Sequence, residues 1–253
     1  MTKISIITAC YNSAATISDS LASLSSQGYR PVEHIIIDGG SSDGTLGIVR
    51  RGVLPSSKII SGPDQGIYDA MNKGISLVTG DIVGTLNADD IYADSKVLER
   101  VAEVFAAPDV DVCYGDLVYV PANDTSQQKR IWKSSAYTEG KFMHGWVPPH
   151  PTFFVRRSVY EKHGGFDLSF PLAADFELML RFLHCLRLKS VYIPHTLVKM
   201  RLGGATNKNL RNIFNQNVEI YRAGQKNNVP LGLRYFTGKV YDRVKQHLRA
   251  KCA

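Results

Sequence analysis

Short apolar runs alternate with amphipathic segments along the N-terminal part of the chain. The runs occupy residues 3–9, 32–40, 58–61 and 81–90. Apolar residues at helical spacing follow them, at residues 14–24, 46–49, 66–78 and 97–105. Strands that alternate with helices predict an α/β fold, in which a mostly parallel sheet carries helices on both faces.

Polar side chains stand where each predicted strand ends. They are Thr8, Tyr11 and Asn12 for the first strand, Asp38 for the second, Asp64 for the third, and Asn87, Asp89 and Asp90 for the fourth. A single Asp in such a place is most often a turn former or a helix cap. Because the carboxyl ends of parallel strands converge on one edge, where ligands bind, four polar strand ends in succession predict a ligand site.

Asp89 and Asp90 are adjacent carboxylates, which repel each other unless a cation or a donor network compensates them. Mg²⁺ or Mn²⁺ prefers such oxygen ligands, and its charge offsets a diphosphate. The chain has neither a P-loop nor a dinucleotide fingerprint. The pattern therefore favours a metal-bound nucleoside diphosphate as the ligand.

Composition sets limits on the class of protein. The chain has 253 residues, of which 44% are hydrophobic, enough for one large α/β domain or two small ones. We find no apolar stretch long enough to cross a bilayer, and the N-terminus becomes polar too early for a signal peptide, so we expect a cytoplasmic protein. The four cysteines lack CxxC spacing, which argues against a disulfide framework or a zinc knuckle.

Positive charge is concentrated at the C-terminus. From Lys199 onward twelve Lys or Arg stand against two acidic residues, a net charge of +10, which leaves −3 for the remainder of a chain whose total is +7. An apolar stripe at helical spacing runs through this region: Leu233, Phe236, Val240, Val244 and Leu248. Such a helix either lies on an anionic membrane or packs on the domain with a solvated basic face. With no nucleic-acid-binding motif beside the charge, we expect no nucleic acid partner.

Five stretches occur together in the order and spacing of a known family. They are "SIITACYN", "IIIDGGSSDGT", "PDQGIYDAMNKGI", "LNADD" and "ADFELMLRF". The set resembles the family 2 glycosyltransferases of the GT-A fold, and most closely those of bacterial surface-polysaccharide biosynthesis. The resemblance covers residues 3–205. It implies a GT-A, Rossmann-like domain over residues 1–205, followed by a basic helical extension over residues 206–253.

The resemblance also implies roles for the strand-end residues. Thr8, Tyr11 and Asn12 would line the nucleotide pocket. Asp38 and Asp64 would contact the base or ribose, with Asn72 beside them. The "NADD" stretch stands where the family carries its metal motif, so Asp89 and Asp90 would hold Mn²⁺ or Mg²⁺.

Two positions depart from the family pattern. Gly39 replaces the second aspartate of the commoner "DDGS", which removes one possible polar contact. Asn87 replaces the first aspartate of the metal motif, and an asparagine there can still bond a ribose hydroxyl.

Glycosyl transfer with inversion needs a base for the acceptor hydroxyl. Asp175 stands near the start of a predicted helix, where a helix cap is the ordinary interpretation, but it falls where the family has its catalytic base. Glu177 is the alternative base, or holds the acceptor or a basic neighbour. Weaker candidates are His150 for the acceptor or metal, Trp132 and Trp146 for stacking on a sugar, and Arg201 and Lys208 for phosphate.

The sequence thus predicts a metal-dependent, inverting glycosyltransferase with a nucleotide-sugar donor and a glycan or polyprenyl-linked acceptor, placed in the cytoplasm and peripherally on an anionic membrane. A non-catalytic nucleotide-sugar-binding protein is one alternative, and it would not need Asp175. A sugar-phosphate nucleotidyltransferase is another, but it would open with a glycine-rich loop near residue 10, which "TACYNSA" lacks.

Overall fold

The strands join in a single sheet in the computed structural model, which describes residues 1–54, 56–203 and 210–251. They are β1 (Ile4–Cys10), β2 (Val32–Asp38), β3 (Lys58–Ser61), β4 (Ile82–Thr85), β5 (Asp90–Tyr92), β6 (Val112–Val120), β7 (Arg130–Trp132), β8 (Phe154–Arg156) and β9 (Ser190–Arg201). The helices are α1 (Ile17–Ser25), α2 (Thr45–Gly52), α3 (Ile67–Ile75), α4 (Val97–Phe105), α5 (Arg157–His163), α6 (Ala174–Leu180), α7 (Leu210–Lys226) and α8 (Leu233–Lys251).

The sheet has a parallel half and a mixed half, in the order β3-β2-β1-β4-β8-β6-β9-β5, with β7 beside β6. The first four strands are parallel, so their carboxyl ends share one edge. In the other half β8 runs antiparallel to both of its neighbours, β9 runs parallel to β6, and β5 and β7 lie antiparallel to their partners. The predicted α/β fold with its flanked sheet is confirmed.

The predicted fourth strand is two strands. β4 ends at Thr85, whereas β5 begins at Asp90 and pairs with β9 at the far edge of the sheet. After β4 the chain still lies beside β1 at Leu86, whose N–H donates to the carbonyl oxygen of Ile7 at 2.9 Å. It then crosses to the other half of the sheet, where β5 begins. The carboxylate pair therefore stands on the crossing between the two halves of the sheet.

Both faces of the parallel half are buried. Along β1, Ile4 and Ile6 belong to one apolar cluster, and Ile7 and Ala9 belong to the other. This alternation follows from the two-residue period of a strand, and it explains why the strand is a continuous apolar run. A helix covers each face, so the polar groups that can meet a ligand are those at the strand ends.

The last helix docks on the domain through an unexpected face. α8 crosses the turn at residues 141–145, where an added Cβ at Gly238 would overlap the carbonyl group of His144. Its Tyr235 is buried and packs edge-on against Phe176. The predicted apolar stripe faces outward instead, since all its members except the partly buried Phe236 are exposed. α8 thus packs on the domain through Tyr235 and Gly238 and not through the apolar stripe.

No helix in the part of the chain that the structure describes is both long enough and apolar enough to cross a membrane.

Candidate active site

A cavity of about 990 Å³ opens at the carboxyl edge of the parallel half. One side, which we call the strand-end wall, is lined by Tyr11, Asn12, Asp64, Asn87 and Asp89. Another side, the basic wall, is lined by Arg130, Lys133, Lys239, Arg243 and Lys245, which come from β7, the residue after it, and α8. Asp175 and His150 line the same cavity. The cavity is large enough for two substrates of sugar size.

Asn12 sits in a left-handed conformation with φ of 47° at the end of β1. Its backbone N–H donates to Ser41 Oγ at 2.8 Å, and its Oδ1 accepts from the N–H of Ser42 at 2.9 Å. These bonds join the loops after β1 and β2. Tyr11, with 63% of its surface exposed, is thereby held with its ring open to the cavity.

Three predicted nucleotide-pocket residues lie outside the described lining of the cavity. Thr8 is buried, and its hydroxyl bonds His34 Nε2 at 2.9 Å. Asn72 makes two bonds to the backbone of Phe166, at 2.8 and 2.9 Å. The Asp38 carboxylate accepts from the hydroxyls of Ser41 and Ser61. The protein itself occupies the polar atoms of these three side chains. The geometry therefore favours a supporting role for them over direct contact with a ligand.

Asp38 supports the strand-end wall from below. Burial alone would raise the pKa of its carboxyl group, but the bonds from Ser41 and Ser61 outweigh burial and lower it. Asp38 is therefore an anion that fixes the loops after β2 and β3.

Gly39 lies against the carboxylate of Asp64. An added Cβ at Gly39 would lie 2.6 Å from Asp64 Oδ2, so a larger residue would displace that side chain. Asp64 Oδ1 accepts from the N–H of Gly66 at 2.9 Å. The departure from the family pattern at position 39 therefore leaves space for Asp64 at the edge of the cavity.

The "NADD" stretch contains uncompensated buried oxygens. Asp90 is fully buried, and one of its oxygens accepts from Asn87 Nδ2 at 3.3 Å. Burial, and then the charge of Asp89, raise the pKa of Asp90 well above its usual range. Asp89 lines the cavity, and burial raises its pKa also. Among the residues described, Asn87 Oδ1 and Asp90 Oδ1 have no hydrogen-bond partner.

These oxygens fit a divalent cation. Mg²⁺ and Mn²⁺ are commonly held by one or two carboxylates, with substrate phosphates and water completing the shell. The described residues include no cluster of three or more His, Cys, Asp or Glu that could hold a metal alone. The donor set therefore suits a metal that arrives with a diphosphate, with Asp89 as the cavity-facing carboxylate.

Asp175 is the second residue of α6, and it is not the helix cap, which is Ala173. Its Oδ1 accepts from the hydroxyl of Tyr68 at 3.0 Å and from the N–H of Phe176 at 2.8 Å. Burial, and then the charge of Asp175, raise the pKa of Tyr68 well above 10, so Tyr68 remains a donor. With Oδ1 engaged, Oδ2 is the oxygen of Asp175 left for a substrate.

Glu177 points away from the cavity. It is fully buried, and its carboxylate bonds Arg181 at 3.1 Å and Asn227 at 3.2 Å. The alternative assignment of Glu177 as the base does not agree with this placement. The other expectation, that Glu177 holds a basic neighbour, agrees with its ion pair to Arg181.

Several weaker candidates do line the cavity. His150 is buried and packs edge-on against Phe166, and burial lowers its pKa, which keeps the imidazole neutral near pH 7. Trp132 and Trp146 line the basic side. Arg201 does not face a ligand, because it bonds Asp19 and the carbonyl oxygen of Asp89 at 2.9 Å. Lys208 lies outside the described residues.

Comparison with known proteins identifies the chain. The model of the family described as "Glycosyl transferase family 2" matches residues 5–164. The chain belongs to this family. A PGL/p-HBAD biosynthesis glycosyltransferase of Mycobacterium tuberculosis is 32% identical over 181 residues, 70% of this chain and 68% of the relative. A further glycosyltransferase of that organism is 31% identical over 180 residues, with the same coverage of each chain.

Solved structures show which fold this family 2 glycosyltransferase has. S. aureus TarS 1-349 in complex with UDP matches with a TM-score of 0.67 and 16% identity, over 95% of this chain and 68% of that one. The mannosyltransferase PcManGT from Pyrobaculum calidifontis, in complex with GDP-Man and Mn²⁺, matches with a TM-score of 0.63 and 17% identity, over 98% and 73%. The chain is a glycosyltransferase with the GT-A fold.

The basic wall of this glycosyltransferase was missed by sequence reasoning. Tyr235, Lys239, Asp242 and Gln246 line the cavity at i, i+4, i+7 and i+11 of α8. This spacing places the four residues on one side of the helix. A mostly polar side of a helix usually faces solvent, so the spacing did not predict a cavity wall. The available signal was Gly238, a helix-interior glycine whose energetic cost suggests close packing at that point.

Proposed function

We propose that this glycosyltransferase is a metal-dependent, inverting enzyme of polysaccharide or glycolipid biosynthesis. It would move a sugar from a nucleoside diphosphate donor to a hydroxyl of a glycan acceptor. The observation that carries the proposal is that the carboxylate of Asp175 lines the same cavity as Asp64 and Asp89. A base and a diphosphate site are the two parts that this chemistry needs.

The donor side of the proposal rests on the strand-end wall. Asp64 provides a carboxylate acceptor and Asn12 the NH₂ of its amide for base or ribose groups, and Tyr11 provides an exposed aromatic ring. TarS has been solved with UDP and PcManGT with GDP-Man and Mn²⁺, which supports a nucleotide-sugar for this chain. Asp89, with Asn87 and Asp90 beside it, would hold Mn²⁺ or Mg²⁺, whose charge would stabilise the departing diphosphate.

Transfer then depends on Asp175. As the acceptor oxygen bonds the anomeric carbon, the bond from that carbon to the diphosphate breaks and its electron pair leaves with the diphosphate. The acceptor's proton passes to Asp175 Oδ2. Tyr68 and the N–H of Phe176 fix Oδ1, so the carboxylate keeps one orientation throughout. Attack opposite the leaving group inverts the anomeric centre.

We further propose a lipid-linked acceptor and a peripheral position on the cytoplasmic face of an anionic membrane. Leu233, Val240, Val244 and Leu248 are exposed on α8. Basic side chains flank them in the sequence. A helix with exposed apolar residues beside basic ones can lie in the interface of an anionic bilayer.

A donor screen tests the function. We expect the sugars of one nucleotide, UDP, GDP or dTDP, to raise the melting temperature of the protein in the presence of Mn²⁺. A ligand that binds only the native state stabilises that state. The same sugar should be hydrolysed slowly to the nucleoside diphosphate. Equal stabilisation in excess EDTA would contradict a metal site. Stabilisation with no hydrolysis and no transfer to a glycan extract would favour a non-catalytic sugar-binding protein.

A further inference from the structure

Two cationic side chains of the basic wall, Arg130 and Lys239, make no ion pair with a carboxylate in the part of the chain that the structure describes. Arg130 is only 8% exposed, and its guanidinium carbon lies 3.5 Å from the centre of the Tyr119 ring. Within the described part of the chain, no carboxylate lies within ion-pair distance of Arg130, and its Nε has no hydrogen-bond partner. Burial, and then the charge of Arg243, lower the pKa of Arg130. A buried cation without an anion is costly, so this arrangement favours an anionic ligand.

Lys239 extends the same wall from α8. Its Nζ donates to the amide oxygen of Asn217 at 2.8 Å, a neutral partner. Burial, and then the charge of Arg243, lower the pKa of Lys239 to about 8. Lys239 is thus still largely protonated near neutral pH, and its charge also lacks full compensation.

Two neutral donors complete the set. Ser134 Oγ and Trp146 Nε1 are buried atoms of the cavity lining, and neither has a hydrogen-bond partner among the described residues. Ser134 is 8% exposed. Buried polar atoms in folded proteins are nearly always bonded, so unpartnered donors beside a cation indicate a place for acceptor oxygens. Phosphate and carboxylate groups supply such oxygens with a negative charge.

The backbone of β7 lies three strands away from the metal-binding stretch. Register places Asp90 opposite Met200, Met200 opposite Tyr119, and Tyr119 opposite Arg130. These three strand spacings amount to about 14 Å. Asp175 acts electrostatically on Lys239, so the basic wall adjoins the base.

We propose that the basic wall is an acceptor subsite for an oxyanion, so that the acceptor is a phosphate- or carboxylate-bearing glycan or glycolipid. The assignment to the acceptor rests on the proposed function. Arg130, Lys239, Ser134 and Trp146 would bind the anionic group. The hydroxyl to be glycosylated would then lie next to Asp175.

The test uses the whole 253-residue chain and its tryptophan fluorescence, because both of its tryptophans line the cavity. Glucose 6-phosphate, glucuronate, inorganic phosphate and glucose would be titrated without metal. We expect the anionic probes to change the emission and glucose to have no effect at the same concentration. The stronger of glucose 6-phosphate and glucuronate identifies the class of anion. Equal responses to glucose and to the anions would overturn the proposal.

Arg130→Gln and Lys239→Gln locate the subsite, with Arg234→Gln as a control on the exposed side of α8. We expect each of the first two changes to weaken anion binding at least about 10-fold, the effect of one lost charge-assisted bond. Arg234→Gln should bind as the parent does. Two independent variants keep the test decisive if one folds poorly. Parent-like binding in a folded Arg130→Gln or Lys239→Gln would overturn the assignment.

A competition arm separates the acceptor from the donor. The nucleoside diphosphate that binds with Mn²⁺ should leave the affinity for the anion within about 3-fold, since the two sites are distinct. Mutual exclusion would assign the anion to the donor diphosphate and overturn the acceptor subsite. Failure of nucleotide binding with anion binding intact would instead count against the proposed function, together with the acceptor role that rests on it.

Discussion

The two walls of the cavity differ in how the chain builds them. The strand-end wall comes from the ends of consecutive parallel strands, between Tyr11 and Asp89, and its charged side chains are acidic. The basic wall joins residues 130–133 to α8, which begins about a hundred residues later. Topology alone brings the first wall together. The second exists only because one helix docks at one place.

This difference suggests that the two walls bind different substrates. A wall formed by the sheet edge is rigid, because its residues end strands that are buried on both faces. A wall formed by a docked helix can be altered without disturbing the sheet. We therefore expect changes at the strand ends to affect the donor, and changes on α8 to affect the acceptor, whereas the base between them affects turnover alone.

Asp175→Asn should have the largest effect on catalysis. The Asn oxygen can still accept from Tyr68 and from the N–H of Phe176, so the fold and the position of the side chain should persist. The amide cannot take a proton, and turnover should fall by about 10² to 10⁴. Steady-state transfer, together with donor binding by calorimetry, checks this. Unchanged turnover would remove Asp175 from the role of base.

Glu177→Gln is the matched control two residues along the same helix. The change weakens the buried bonds to Arg181 and Asn227, so it should lower stability by about 1–3 kcal/mol. Turnover of the folded fraction should stay within a few-fold of the parent. Loss of transfer here, with an active Asp175→Asn, would move the base to Glu177.

Asp89→Asn should act on the strand-end wall. It removes a carboxylate that faces the cavity beside Asn87 and Asp90, so Mn²⁺-dependent nucleotide binding should weaken by about 10²-fold. Asp94→Asn, at a site paired with Arg100 and outside the cavity lining, is the control. Thermal shift with nucleotide, with and without Mn²⁺, measures both. Binding that keeps its metal dependence in Asp89→Asn would place the metal elsewhere.

Gly238→Ala should act on the basic wall and have the smallest effect of the three changes. The added methyl group overlaps the carbonyl group of His144, so α8 must move outward. A shift of about 1 Å near the reacting groups can cost up to about 10²-fold in rate. Donor binding should not change. Gly232→Ala, at a position with open space around it, is the control. Equal transfer rates for Gly238→Ala and Gly232→Ala would show that transfer does not depend on the close packing of α8 at residue 238.

Sequence periodicity predicted the parallel half well. The runs at residues 3–9, 32–40 and 58–61 match β1, β2 and β3 to within two residues at each end. Periodicity could not divide residues 81–90 into β4 and β5, because the partner of β5 is β9, about a hundred residues away. Pairing partners far along the chain leave no local pattern.

The site was predicted less completely, for two physical reasons. Thr8, Asp38 and Asn72 belong to the correct edge, but local sequence does not show that His34, Ser41, Ser61 and the Phe166 backbone occupy their polar atoms. The cavity-facing side of α8 was not predicted, because a polar helical stripe normally meets water. The proposal of Asp175 as the base came from the family resemblance, since its position alone also suits a helix cap.

Hydrogen exchange with bound ligands tests most directly the claim that the two walls serve different substrates. With Mn²⁺ and the nucleoside diphosphate that stabilises the protein, we expect slower exchange at residues 10–16, 62–68 and 86–90, and no change at residues 130–135 or 239–246. Glucose 6-phosphate or glucuronate, whichever binds, should give the opposite pattern. Protection of the basic wall by the nucleotide, without protection at the strand ends, would contradict the account.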